Sequence, residues 1–335
     1  MIKVGINGLG RIGRSLLREA VLRDDVEVVA INDLGDADTL TYLLTFDSVY
    51  GLFPTSVERV PNGINVNGKT IPVFQEKEPR NIPWETVSVD VVVEATGAFT
   101  TYKAARAHIE GGAKRVVMTA PAKDAPAPDE GTILLGLNDK ELRTKVVTSN
   151  ASCTTNAAAP LIAVLSDAFG VEKALLTTIH AYTASQSLVD GPKKDLREGR
   201  SAAVNMVPTS TGAAIAVTEV LTELTGKFDG VSVRVPVQIG SLVDITLLLK
   251  KEASVEEINQ AMTKASGSKQ WKDLLAITHD PIVSTDIVGA KFASIADLSM
   301  TRSLGQLVKV MGWYDNEAGY THTLIEHVIR LGKTI

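Results

Sequence analysis

Short apolar runs alternate with amphipathic stretches through the first half of this chain. Ile2 to Ile6 reads as a strand, and between Arg11 and Arg23 the residues Ile12, Leu16, Ala20 and Val21 fall on one helical face. Val26 to Ile31 is a second strand. Val89 to Ala95 is a nearly continuous apolar run, as expected of a strand covered on both faces. A helix over 101–110 and a strand over Arg115–Met118 follow. Asn67-Gly68, set between Ile64-Asn65-Val66 and Thr70-Ile71-Pro72-Val73, predicts a hairpin, so an antiparallel excursion interrupts the winding. Ala125-Pro126-Ala127-Pro128 marks an exposed loop. This alternation predicts a doubly wound, mostly parallel sheet of the α/β class.

The second half has a different rhythm. Leu161, Ile162, Leu165, Ala168 and Phe169 make an apolar helical stripe, and long strand-like segments follow at 171–179, 231–237, 241–250 and 306–313. Ser254-Val255-Glu256-Glu257 is a capping-box start for a helix carrying Ile258, Ala261 and Met262. Residues 317–332 read as a final helix with Leu324, Val328 and Leu331 inward. Fewer crossover helices per strand predict an α+β domain with a mixed, largely antiparallel sheet and helices on one face.

Composition narrows the function classes. With 335 residues, two domains are the natural expectation, and 44% hydrophobic with 22% charged residues is the balance of a globular protein. The net charge of −5 argues against nucleic acid as the main partner. No uninterrupted apolar stretch would span a bilayer, and the start, Met-Ile-Lys-Val-Gly-Ile-Asn-Gly, reads as a strand. A single cysteine fits a reducing cytoplasm. No metal site is expected.

Gly8-Leu9-Gly10-Arg11-Ile12-Gly13 is a GxGxxG run that follows a strand and opens a helix, and the next strand ends in Asn32-Asp33. That context predicts a Rossmann dinucleotide site. The first glycine permits the turn, the second lets backbone approach a pyrophosphate, and the third lets helix pack on strand. The Asp33 carboxylate would accept from ribose hydroxyls and repel a 2′-phosphate, which favours NAD over NADP.

Cys153 lies in Ser-Asn-Ala-Ser-Cys-Thr-Thr-Asn, at the expected start of the apolar helix. The helix N-terminus favours thiolate, so Cys153 is either a nucleophile or a buried small hydrophobe. His180, at the end of a strand-like segment, is a candidate base to pair with it, initially as thiolate–imidazolium; the alternative is a structural histidine. His108, His279, His322 and His327 read as structural or solvated. Thr183, Thr209-Ser210-Thr211-Gly212 and Arg234 suit an anion site, or else helix capping and a strand ion pair.

The strings INGLGRIGR, IND, EATGAFT, SNASCTTN, HAYT, VDGP, PTSTGAA, RVPV and WYDNEAGY stand in order along nearly the whole chain. In them the sequence resembles the glyceraldehyde-3-phosphate dehydrogenase family. The resemblance implies a homotetramer whose subunit has a Rossmann domain over 1–150, rejoined by the C-terminal helix 317–335, and a catalytic domain over 151–316. It implies oxidation of glyceraldehyde 3-phosphate with NAD and inorganic phosphate, Cys153 forming a thiohemiacetal and then a thioester, with His180 as base. It also implies a cofactor site of Gly8, Gly10, Arg11, Ile12, Gly13, Asn32, Asp33, Thr96, Gly97, Thr119, Asn316 and Tyr320. By the same resemblance Thr183 and Arg234 hold the substrate phosphate, and Ser152, Thr154, Thr211 and Gly212 the attacking phosphate. The loop from Ala181 to about Arg200 would reach a neighbouring subunit. Leu34 and Pro192 match NAD-preferring members. The stretch 124–131 is longer than the family's usual loop, Ser185 replaces a frequent acid, and Gln238 stands where proline is common. The rival readings are erythrose-4-phosphate dehydrogenase, against which Thr183 argues, and a non-catalytic binding role.

Overall fold

A computed structural model describes all residues 1–335. The chain divides into two compact units, Met1–Ala151 with Thr321–Ile335, and Ser152–Tyr320. No helix is long and apolar enough to cross a membrane.

The first unit is built on a nine-stranded sheet. Its order is Glu130–Thr132, Val147–Ser149, Arg115–Met118, Val91–Glu94, Ile2–Asn7, Val26–Asn32, Lys69–Phe74, Gly63–Val66 and Val57–Val60. Pairing is parallel as far as Lys69–Phe74 and antiparallel beyond it. The central strands are apolar on both faces: Val91, Val92, Val93, Val116 and Val117 are fully buried. The antiparallel excursion is the expected hairpin. Asn67 and Gly68 both take positive φ, 52° and 80°, the backbone of a type I′ turn.

Helix Arg11–Ala20 follows the first strand and buries Gly13, Leu16, Leu17 and Ala20; the residues expected to extend it to Arg23 close it as turns. The helix expected over 101–110 is instead two short helices, Tyr102–Ala105 and Ala107–Glu110, joined at Arg106. The Arg106 guanidinium reaches out to Asp129 and Glu130, at 2.7 and 2.8 Å. The loop at 124–131 is thereby tied down, and Asp124 also accepts from the backbone N–H groups of Tyr102 and Lys103. Helix Ala37–Thr45, capped by Asp36, was not anticipated.

The second unit carries an eight-stranded mixed sheet. Its order is Val207–Ser210, Phe228–Val235, Val171–Ala181, Ser241–Leu249, Leu307–Tyr314, Ser294–Asp297 and Leu275–Thr278, with Arg302–Leu304 also pairing on Leu307–Tyr314. Only Val171–Ala181 with Phe228–Val235, and Leu275–Thr278 with Ser294–Asp297, pair in parallel. Along Ser241–Leu249 burial alternates residue by residue, with Val243, Ile245, Leu247 and Leu249 inside. The helix Cys153–Phe169 packs on this sheet and is buried on nearly every side from Thr154 to Leu165, which explains its all-round apolar sequence. The capping box at Ser254 and Glu257 forms as expected.

Candidate active site

Ser149 ends a buried strand of the first unit, and Ala151 then takes a left-handed φ of 53° although it carries a side chain. Strain of this kind persists where surrounding structure demands it. Ser152 follows as the N-cap of helix Cys153–Phe169, its hydroxyl accepting from Thr155 N–H at 3.0 Å. Cys153 is therefore the first residue of the helix, half-buried, at the positive end of the helix dipole.

His180 lies inside strand Val171–Ala181, one residue from its end, and is 4% exposed. Cys153 Sγ and His180 Nε2 are 3.4 Å apart. The other ring nitrogen fixes the tautomer. Nδ1 is 2.7 Å from the Ala181 carbonyl, which can only accept, so Nδ1 carries the proton and donates. In the neutral ring Nε2 is then a free lone pair facing the thiol.

Electrostatics set the resting protonation. Burial pushes the Cys153 thiol up, and the Arg234 guanidinium and Thr154 hydrogen bonds only partly oppose this. Burial, helped by Arg234, pushes His180 down from 6.5 to about 3. Desolvation thus works against the thiolate–imidazolium form, while the helix N-terminus and the Thr154 hydrogen bonds work for the thiolate. Transfer of one proton from Sγ to Nε2 still yields the nucleophile without changing net charge.

Around the pair lies a shell of which the sequence reading singled out Thr154, Asn316 and Tyr320 but not Tyr314, Thr178 or Ser241. The Tyr314 ring meets the His180 ring edge-on, centroids 5.9 Å apart. Its hydroxyl bonds Thr154 and Thr178 at 2.9 and 2.8 Å. Ser241 accepts from Ala181 N–H at 3.1 Å and donates to Asn316 Oδ1 at 3.0 Å, so the strand carrying His180 also orients the Asn316 amide. Tyr320 is buried, as is the Thr154 side chain. The only available signal was polar residues at inward positions of alternating strands, which does not say what they touch.

Arg234 stands opposite His180 in the parallel register of the two strands. Its Nε and Nη1 are buried without a hydrogen-bond partner, which excludes the strand ion pair that was its alternative at those atoms. Orphaned buried donors of this charge fit an anionic ligand. Thr183, just past the His180 strand, bonds Ser185 through its hydroxyl at 3.0 Å. Thr211 Oγ1 accepts from Ala213 N–H at 3.2 Å at the start of helix Ala213–Val220, whose N-cap Gly212 has open space around it.

The first unit presents the dinucleotide signature at the carboxyl ends of its central strands. Gly8 has φ 96°, and a Cβ there would lie 2.8 Å from Thr96 N. A Cβ on Gly13 would lie 2.1 Å from the Gly8 carbonyl oxygen, so helix and loop touch directly. A Cβ on Gly10 meets nothing within 4 Å, and no side chain caps the helix it opens. Gly97, with φ 71°, is likewise open. This is a cradle that backbone leaves clear, and its fit to a pyrophosphate follows from that clearance. The Asp33 carboxylate accepts from Leu9 N–H and Gly35 N–H at 2.7 and 2.8 Å, with lone pairs left for further donors. Thr119 donates to the Glu94 carbonyl, and Ile12 opens the helix beside Arg11. Two expected cofactor residues have other work for their side chains. The Arg11 guanidinium pairs with Asp47 at 2.6 Å. Both amide protons of Asn32 are engaged, by Asn7 Oδ1 and the Glu76 carbonyl.

Comparison with known proteins agrees with this architecture. Residues 2–102 match the family model described as glyceraldehyde 3-phosphate dehydrogenase, NAD binding domain. Residues 152–316 match the model of the same family's C-terminal domain. The chain is 47% identical over 339 residues to glyceraldehyde-3-phosphate dehydrogenase 1 of Streptomyces avermitilis, covering 100% of this chain and 99% of that protein. It is 46% identical over 328 residues to the glyceraldehyde-3-phosphate dehydrogenase of Geobacillus stearothermophilus, covering 97% and 96%. With the Mycolicibacterium smegmatis glyceraldehyde-3-phosphate dehydrogenase it shares 47% over 343 residues, covering 100% and 99%. A nucleotide cradle in the first unit, a thiol–imidazole pair in the second, and full-length likeness on both thus place the chain in the glyceraldehyde-3-phosphate dehydrogenase family, as an oxidoreductase that uses NAD.

Proposed function

We propose that this protein oxidises glyceraldehyde 3-phosphate, with inorganic phosphate, to 1,3-bisphosphoglycerate. The observation that carries the reading is the Cys153–His180 contact, in which Nε2 faces Sγ while Nδ1 donates to the Ala181 carbonyl. Sγ gives its proton to Nε2 and attacks the aldehyde carbon, forming a C–S bond. The imidazolium returns the proton to the new oxyanion, which gives a thiohemiacetal. Bound NAD supplies the hydride acceptor. As the C–H electron pair departs, Nε2 takes the hydroxyl proton and the carbon becomes a thioester. Phosphate attacks this carbonyl, the C–S bond breaks, and the sulfur leaves as thiolate, to be reprotonated from the imidazolium. Coupling through sulfur keeps the oxidation energy in an acyl phosphate instead of a free carboxylate.

Arg234 and Thr183 hold the substrate phosphate. The buried unpartnered guanidinium atoms support this role. Ser152, Thr154, Thr211 and Gly212 receive the attacking phosphate, and the open space at Gly212 suits it. Asn316, oriented by Ser241, orients the nicotinamide amide, with Tyr320 beside it. Asp33 selects NAD.

The working assembly is a homotetramer. Leu188, Val189, Leu196, Val204 and Met206 support it: all are strongly exposed, Leu196 at 85%, along one loop of the second unit. A free catalytic thiol supports a reducing compartment such as the cytoplasm, and the reaction proposed here belongs to glycolytic or gluconeogenic flux.

Steady-state assays of glyceraldehyde 3-phosphate and erythrose 4-phosphate, each with and without phosphate, test the reading. Phosphate-dependent NADH formation from the triose is expected. Phosphate-independent turnover of the tetrose alone would reverse it.

A further inference from the structure

Beneath the nucleotide cradle lies a buried polar chain for which the reaction described above has no use. Glu94 ends strand Val91–Glu94 and is 3% exposed. Its Oε2 accepts from Asn7 Nδ2–H at 2.5 Å and from His108 at 2.9 Å. Its Oε1 accepts from Thr96 N–H at 2.9 Å and from the Thr96 hydroxyl. The His108 ring is completely buried, and its tautomer is fixed from behind. Trp84 Nε1–H can only donate, and it points to His108 Nδ1 at 3.1 Å, so Nε2 carries the proton given to Glu94. Asn7 in turn accepts from Asn32 Nδ2–H at 2.8 Å. The carboxyl ends of three adjacent strands, Val91–Glu94, Ile2–Asn7 and Val26–Asn32, are therefore linked through one carboxylate.

We propose that Glu94 and His108 are positioning residues for NAD, holding the Thr96–Gly97 turn and the Asn7–Gly8 strand end in the geometry that the cradle requires. The mechanical link is the contact between Gly8 and Thr96. A Cβ on Gly8 would lie 2.8 Å from Thr96 N and 2.9 Å from Thr96 Cα, so the glycine loop rests on the Thr96 backbone with no clearance. Whatever moves that turn moves the loop. Packing alone does not call for an acid here, because a buried carboxylate is costly to desolvate and an apolar side chain of similar size serves stability as well or better. Gripping two donors of a turn while accepting from two neighbouring side chains is something only a carboxylate does. His108 keeps it aimed, and Trp84 keeps His108 in the donating tautomer.

The proposal rests on NAD being the ligand of the first unit. It is tested on the full-length protein with Glu94→Gln, His108→Leu and His108→Gln. The readouts are the NAD dissociation constant by titration calorimetry, the thermal midpoint, and the rate of Cys153 alkylation by iodoacetamide without NAD. We expect Glu94→Gln and His108→Leu to weaken NAD binding tenfold or more. His108→Gln, which restores a donor to Glu94, should return it to within about threefold of the parent. Alkylation should stay within about twofold in all of them. NAD binding unchanged in Glu94→Gln and His108→Leu, whatever the thermal midpoint, overturns the proposal. Equal weakening by both His108 variants does so too, because a lost shape and not a lost donor would be the cause. If Glu94→Gln does not fold, the His108 pair decides. A parent protein that fails to bind NAD defeats the NAD reading itself, a separate outcome.

Discussion

His180 and His327 are both buried, and desolvation holds each imidazole at about 3 instead of the ordinary 6.5. His327 is held neutral between Thr148 and Asn150, at 2.9 and 3.0 Å. An unfolded chain takes up these protons near pH 6.5, whereas the folded chain does so only near 3. The stability they contribute is complete above 6.5 and is lost as pH falls through that window, by about 2 kcal/mol per histidine at pH 5. His327→Gln should therefore flatten the acid-side slope, read as urea midpoints between pH 7 and 4.5. An unchanged slope would remove His327 from this account. Asp33→Ala should relax the cofactor preference toward NADP, measured as the ratio of kcat/KM values; an unaltered ratio would free Asp33 of that task. Cys153 and His180 were legible because a lone thiol at a helix start and a histidine at a strand end are local patterns. The desolvation that acts on them was not legible, since it comes from residues distant in sequence. Tyr314, Ser241 and Glu94 were illegible for a related reason: their partners come from strand pairing, which a single sequence does not print.

Among the elements, the glycine loop gives the sharpest contrast. The motif gives Gly10 and Gly13 different tasks, and a Cβ meets open space at Gly10 but the Gly8 carbonyl oxygen, 2.1 Å away, at Gly13. Gly10→Ala should keep the thermal midpoint nearly unchanged and weaken NAD about tenfold or more, because the added methyl sits where the ligand approaches. Gly13→Ala should cost about 1–3 kcal/mol of stability, since backbone must move. Equal effects of both on stability, by thermal melting, would show that the loop is not built this way. Periodicity read the long strands and the long helices, and the type I′ hairpin was visible as Asn67-Gly68, but short strands such as Glu130–Thr132, Val147–Ser149, Val207–Ser210, Leu275–Thr278 and Ser294–Asp297 went unread. It failed at 101–110, where Arg106 turns outward to Asp129 and Glu130 and splits the expected helix. It also passed over Ala37–Thr45, whose exposed Tyr42 and Leu43 blur the apolar stripe.

At the scale of the whole molecule, apolar side chains remain without cover. Leu196 and Val204 are 85% and 75% exposed, on a loop with no secondary structure to explain their retention. A second copy of the chain is the cover we expect. Analytical ultracentrifugation should give a tetramer for the parent and smaller species for the Leu196→Asp, Val204→Asp double variant; a monomeric parent contradicts the assembly. The two-unit plan followed from the change of rhythm between the halves of the chain, while the passage of the C-terminal segment back into the first unit came only from family resemblance. The central claim is that one sulfur carries the acyl group between oxidation and phosphate attack. Its most direct test is a rapid-mixing experiment with NAD and glyceraldehyde 3-phosphate in phosphate-free buffer, with peptide mass spectrometry of the quenched protein. The account predicts a burst of about one NADH per active site, then a near stop, with the acyl adduct on Cys153 and release on adding phosphate. Sustained NADH formation without phosphate, or no adduct on Cys153, would contradict it.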